Sequence, residues 1–162
     1  MTGEQTVAND RQFVVARLAA ACEEHQPQVL CIDSAFGSPI VLRLKQLGYP
    51  AVEVNFGGDS PDPYCQNARA AMYRAMKEWL PHGCIDQKDH HLAADLAAPG
   101  YTINKRNKLV IEPKASIQKR GGAPLHDSDA LALTFSMRVR MPKQVSTARV
   151  TMPSGAGSWM SS

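Results

Sequence analysis

His126, Asp127 and Asp129 crowd an imidazole and two carboxylates into four residues, at the head of an apolar run over 130–135 that reads as a buried helix. Carboxylates in the first turn of a helix meet unpaired backbone N–H groups and the positive end of the helix dipole, so they are stabilised there as anions. An ordinary helix cap has the same appearance. A second acid gives the cluster a chemical partner. Residues 29–32 form a short apolar run that ends in Asp33 and is followed by Ser34, Ala35, Phe36, Gly37, Ser38 and Pro39, the pattern of a buried strand turning into a helix. Reactive groups in open α/β sheets gather at the carboxyl ends of strands, although a turn-forming Asp occupies the same place. Asp33 and the 126–129 cluster therefore read as the two halves of a metal-binding acidic site.

The elements that must position these residues follow in order. Asn9 and Asp10 head an amphipathic helix with Phe13, Val14, Leu18, Ala21 and Cys22 on its apolar face, closed before Pro27. After the strand ending at Asp33, residues 39–47 carry Ile40, Val41, Leu44 and Leu47 at helical spacing, and Gly48 stops them. Residues 51–56 are the next strand, which makes a right-handed β-α-β unit with two parallel strands. A helix is predicted over 64–80 with Met72, Met76, Trp79 and Leu80 facing the core, and another over 89–98, bounded by Pro99 and Gly100. Residues 101–103 and 109–111 flank Asn104-Lys105-Arg106-Asn107-Lys108 and read as a β-hairpin with a basic tip. Lys114, Lys119 and Arg120 then lead back, through Gly121 and Gly122, to the acidic helix.

At 162 residues with 44% hydrophobic and 20% charged residues, the chain is expected to form one globular domain over 1–140. From Arg140 onward, proline, glycine, serine and cations predict a basic, disordered tail over 141–162. No apolar run approaches the ~20 residues that span a bilayer, and the polar opening is no signal peptide, so a cytoplasmic protein without membrane contact is expected. Cys22, Cys31, Cys65 and Cys84 are scattered and read as reduced thiols. His82, Cys84, His90 and His91 fit no common zinc-knuckle spacing. Gly57 and Gly58 open a loop that lacks the Gly-Lys-Ser/Thr ending of a P-loop, and the chain holds no such motif, which excludes an ATP-driven motor of that kind. The net charge of +3 hides an asymmetry: residues 1–100 hold 8 Lys/Arg against 12 Asp/Glu, and residues 101–162 hold 10 against 3. Cations that hold phosphates beside carboxylates that hold metals suit a polyanionic substrate.

Several pieces together resemble the nuclease domain of the large terminase subunit of tailed bacteriophages, a ribonuclease-H-like family. They are Cys31-Ile32-Asp33 with Gly37, Leu47-Gly48-Tyr49-Pro50, Val54-Asn55-Phe56-Gly57-Gly58, Asn67-Ala68-Arg69, Trp79-Leu80 with Gly83, Ile111-Glu112-Pro113-Lys114, and Asp129 through Phe135. They run in the family's order across roughly residues 10–137. The resemblance implies an α/β fold, a ribonuclease-H-like mixed sheet flanked by helices. It also implies N-terminal truncation, because the family's first metal ligand lies on an initial strand upstream of everything matched and the opening residues here hold no apolar strand. Where the family usually has Asp three residues before its Asp-Ala-Leu motif, this chain has His126, with Asp127 one step later.

The implied activity is metal-dependent hydrolysis of double-stranded DNA in viral genome packaging, by two Mg²⁺ or Mn²⁺ ions about 4 Å apart. Asp33 is the implied bridging ligand and Asp129 the principal helix ligand, with Asp127 or His126 as auxiliary ligand or proton shuttle. Lys105, Arg106, Lys108, Lys114, Lys119 and Arg120 are the implied nucleic-acid contacts. Portal or other packaging subunits are further partners, and loss of the initial strand predicts an open sheet edge that self-associates or is completed by another polypeptide. The alternative is a non-catalytic DNA- or portal-binding packaging component that lacks the first acidic ligand. Host-cell cytoplasm is the location this implies.

Overall fold

Asp33 is both the last residue of a strand and the cap of the helix that follows, and this junction organises the first half of the molecule. In the computed structural model, which describes residues 3–122 and 125–139, β1 (Leu30–Asp33) pairs in parallel with β2 (Ala51–Val54), register Leu30 with Ala51 through Asp33 with Val54. The Asp33 backbone is extended and its Oδ1 accepts a hydrogen bond from the Ala35 N–H at 3.3 Å, which starts α2 (Ser34–Gln46) at once. The helix thus begins five residues earlier than the expected start at 39. Gly37 and Ser38, which read as a turn, lie inside it. Gly37 is tolerated because it packs so closely on Ile32 that a Cβ would collide with that side chain. Ser38 Oγ donates to Glu53 Oε1 on β2 at 2.6 Å and lies 3.3 Å from the Ser34 carbonyl.

Alternation along β1 divides the core in two. Leu30 and Ile32 pack with Val15, Val41, Leu44 and Ala51 between the sheet and α1 (Gly3–His25) with α2. Cys31 packs on the opposite cluster of Val54, Met72, Tyr73, Met76 and Ala132. The face that α1 buries differs from the expected one. Phe13 is 64% exposed and Val14 39%, whereas Val15, Leu18, Ala19 and Cys22 face inward. That set has the i, i+3, i+4, i+7 spacing of a single helix face, rotated from the one Phe13 would define.

β2 ends at Val54, two residues before the expected limit, because Asn55 turns the chain: its Oδ1 and its carbonyl accept from the N–H groups of Gly57 and Gly58. α3 (Ala68–Trp79) starts four residues later than expected, at an Asn67 cap whose side chain accepts from Ala70 N–H. Tyr64 and Gln66 are drawn off instead to pair with Leu109, with Leu109 N–H to Tyr64 O at 2.7 Å and Gln66 N–H to Leu109 O at 2.9 Å. α4 (His90–Ala97) is capped by Asp89. β3 (Tyr101–Ile103) and β4 (Leu109–Ile111) pair antiparallel across the basic segment 104–108. Two short helices, α5 (Lys114–Lys119) and α6 (Asp127–Leu133), complete the described residues, and α6 packs on α3, α4 and β1.

The result is a mixed α/β architecture of six helices and two two-stranded sheets among the described residues. No helix among them is long and apolar enough to cross a membrane. The expected basic tail, 141–162, lies outside the described residues.

Candidate functional site

α3 carries Arg69, Met72, Tyr73 and Met76 at i, i+3, i+4 and i+7, all buried. A guanidinium in such a stripe needs a buried acid, and α6 supplies Asp129. Arg69 Nε and Nη2 each donate to Asp129 Oδ1 at 3.2 Å, and the Tyr73 hydroxyl donates to the same oxygen at 2.7 Å. Lys114 Nζ, from the first turn of α5, stands 2.6 Å from Oδ2. That second oxygen receives no directed hydrogen bond, so the Lys114 contact is an ion pair without hydrogen-bond geometry. Asp129 is only 5% exposed, and its charge is compensated by two cations.

The surroundings are built to hold that arrangement. Arg69 Nη1 also donates to the Glu112 carbonyl at 3.0 Å, which ties α3 to the segment between β4 and α5. The Tyr73 hydroxyl lies 3.1 Å from Ser128 Oγ, and its ring sits 5.0 Å beneath the Arg69 guanidinium. Burial, with the carboxylate of Asp129 as a further cause, pushes the Tyr73 phenol up to about 12, so it stays a hydrogen-bond donor at neutral pH. Glu112 receives Arg120 Nε at 3.1 Å, Arg120 Nη2 at 3.0 Å and the Gly100 N–H at 3.0 Å. Arg120 first and Gly100 second hold its carboxyl below the ordinary carboxylate range.

Asp127 and His126 stand differently. Both are exposed, and their backbone N–H groups donate to one oxygen of Asp95, on α4, at 3.0 Å each. Two of the four orphan donors of α6 are therefore satisfied from a neighbouring helix, since His126 itself makes no side-chain cap. The Asp127 carboxylate has no hydrogen-bond or ion-pair partner among the described residues. Asp33 is half-buried at the end of β1 and spends one oxygen on Ala35. The exit of α6 lies against the same strand, with Ser136 Oγ 3.4 Å from Cys31 Sγ.

Of the residues singled out from sequence, the structure brings Lys114 onto Asp129, sets Asp127 at the mouth of α6 and leaves Asp33 at its strand end. A divalent ion needs hard oxygens with unspent lone pairs. Asp33 and Asp127 offer them. Asp129 Oδ1 already takes three donors and Oδ2 faces Lys114, and no three His, Cys, Asp or Glu side chains gather among the described residues. The donor chemistry suits Mg²⁺ or Mn²⁺, but these residues do not by themselves complete a two-ion centre. Of the basic candidates, Lys105, Arg106 and Lys119 are exposed without an ion-pair partner among the described residues, Lys108 is half-buried, and Arg120 is committed to Glu112. Arg69 stands in the sequence only as part of a matched piece, without a role, and Tyr73 and Asp95 are not singled out there. The signal for the first two was present, as an arginine inside an otherwise apolar helical stripe; a cap reaching across from another helix leaves no local pattern.

No family model matches the sequence, and no curated protein matches it. Solved structures do resemble the fold. The nuclease domain of the large terminase subunit gp2 of bacterial virus Sf6 superposes with a TM-score of 0.54 at 16% identity, covering 75% of this chain and 70% of that domain. A single-site mutant of that domain with manganese and beta-thujaplicinol gives 0.55 at 14% identity over 75% and 70%. The same mutant with manganese alone gives 0.55 at 15% identity over 74% and 70%. The chain is thus similar in fold to a terminase nuclease domain.

Proposed function

We propose that the chain is a DNA-cleaving module of viral genome packaging, a divalent-cation-dependent endonuclease acting on double-stranded DNA. The observation that supports this reading best is the placement of Asp33 and Asp127, two carboxylates with unspent oxygens at a strand end and a helix mouth, in a fold similar to a terminase nuclease domain. Mg²⁺ or Mn²⁺ is the cofactor class; a mutant of the Sf6 domain was solved with manganese. When bound, the ions would supply an activated water and charge neutralisation for phosphodiester hydrolysis. In this proposal Asp33 and Asp127 face the cation. Asp129, expected from sequence to be the principal ligand, serves the site through Arg69 and Lys114, setting the first turn of α6 and holding the lysine ammonium near the acids. His126 is the auxiliary group. In this proposal a third acidic ligand, supplied by another polypeptide, completes a two-ion set, since residues 140–162 carry no Asp or Glu. Portal docking, pairing of two copies through the edge of β1 and a host-cytoplasm location belong to the same reading.

A second reading is favoured by the commitment of Asp129 to two cations and the absence of a three-acid cluster among the described residues. In it the chain binds DNA or the portal without cutting. Mn²⁺ titration separates the two. The nuclease reading expects a rise in melting temperature with Mn²⁺ and nicking of supercoiled plasmid, both lost in Asp33→Asn, which keeps an amide oxygen able to cap α2, and in Asp127→Asn, whose side chain has no partner among the described residues. Duplex binding with neither a melting shift nor nicking establishes the second reading.

A further inference from the structure

The candidate site leaves unused an open cleft of about 660 Å³ between α3 and the β3–β4 hairpin. Two tyrosines line it, Tyr64 at 63% exposure and Tyr101 at 65%, each an apolar ring with a polar tip of the kind used at wet interfaces. Each has a cation over one face: Arg74 lies 5.7 Å from the Tyr64 ring centre and Lys77 lies 5.6 Å from that of Tyr101. The charges are not equivalent. Arg74 is spent on Asp62 at 3.0 Å and Glu78 at 3.3 Å, whereas Lys77 has no ion-pair partner among the described residues. At the end of the hairpin, Lys105 and Arg106 are exposed and likewise make no ion pair among the described residues.

This surface is held in shape before any ligand arrives. Asn104 Oδ1 accepts from the N–H groups of Arg106 at 2.9 Å and Lys108 at 3.0 Å, and Asn107 takes a left-handed turn at φ 57°. Asn104 Nδ2 donates to Gln66 Oε1 at 2.6 Å, and Leu109 N–H to Tyr64 O at 2.7 Å, so the hairpin and the Tyr64 loop are tied together. Exposed rings, an apolar lining that includes Leu109 and Ile111, and cations unpaired among the described residues, Lys77 in the lining and Lys105 and Arg106 at the hairpin tip, match the chemistry of an unpaired nucleotide: a base that stacks and phosphates that meet the ammonium and guanidinium groups.

We propose that this cleft binds single-stranded nucleic acid, with bases stacked on Tyr101 and Tyr64 and the backbone running toward Lys77, Lys105 and Arg106. The site is distinct from the carboxylates proposed for cleavage and engages strand that has been unpaired, where the carboxylates act on duplex.

The test is fluorescence anisotropy of the full chain with a labelled oligothymidylate in EDTA, against an oligomer of equal length built from abasic residues. Oligothymidylate is expected to bind roughly 5-fold or more tightly than the abasic strand, the low end of what one stacked base contributes. Tyr101→Ala and Tyr64→Ala each bring its affinity toward the abasic level, and Tyr101→Phe retains it. Thermal melting confirms that the variants, altered at exposed positions, are folded. Equal binding of the two strands, or alanine variants that bind as the parent does, overturns the proposal. Because no metal is present and no cleavage is scored, either result leaves the nuclease reading where it stood.

Discussion

Asp129 shows why an acid at the head of an apolar helix says little until its partners are known. Its neighbours Arg69, Tyr73 and Lys114 come from two other elements 60, 56 and 15 residues away in sequence, and they consume both oxygens. A buried carboxylate of this kind owes its stability to compensation, since each charge removed from water costs several kcal/mol and is repaid only while the pair is whole. Replacing Arg69 by methionine preserves the apolar bulk of the stripe but strips Oδ1 of two of its three donors. Arg69→Met is therefore expected to lower the unfolding free energy by about 3–5 kcal/mol in urea titration, the cost of a broken buried pair. Adding Asp129→Leu to it should recover a substantial part of that loss, because the orphaned charge is gone. A loss under 1 kcal/mol for Arg69→Met would mean that the pair is not buried as described. The same reasoning disqualifies Asp129→Ala as a diagnostic of metal ligation, since loss of activity in that variant would follow from loss of structure.

At the scale of elements, the mouth of the proposed site is a seven-residue helix that cannot sustain itself in isolation. It is held by Asp95, whose Oδ2 takes both the His126 and Asp127 N–H groups. Asp95→Ala should cost about 1–2 kcal/mol, the usual value of a cap, and should speed hydrogen exchange at the amides of residues 126 and 127 while leaving β1 and β2 protected. Uniform loss of protection across the molecule would instead make Asp95 part of the global core. What could be read from sequence divides along the same line. β1, β2, α3 and both hairpin strands carry their patterns in their own residues: alternation across the sheet, a stripe of methionines, apolar runs on either side of a polar turn. Where the expectations missed, a contact distant in sequence decided. Leu109 pulls Tyr64 and Gln66 out of the helix that their neighbours suggest, and the Ile32 side chain makes a glycine acceptable within α2. Phe13 and Val14 pointed to the wrong face of α1 because local hydrophobicity cannot tell which side the sheet will lie on.

The whole molecule carries its charge unevenly, with the excess of acids in residues 1–100 and of cations in 101–162. Counting cations overstates what is available to a polyanion, because the fold spends some of them internally. Lys114 neutralises Asp129, and Arg120 holds Glu112 while also donating to the Ala98 carbonyl. Lys105, Arg106 and Lys119 are exposed and make no ion pair among the described residues, which leaves them able to displace counterions from a duplex. Each phosphate neutralised contributes about 0.9 to the slope of log affinity against log salt concentration. The triple variant Lys105→Ala, Arg106→Ala, Lys119→Ala should therefore flatten the salt dependence of duplex binding by roughly 2–3 in slope, with its melting temperature unchanged. Arg120→Ala should do the reverse: a lower melting temperature, from loss of the link between α5 and the Glu112 segment, with a salt slope close to that of the parent. Equal slopes for the triple variant and the parent would place the duplex on another face of the protein, and the excess positive charge of residues 101–162 would then have to act through cations other than these three.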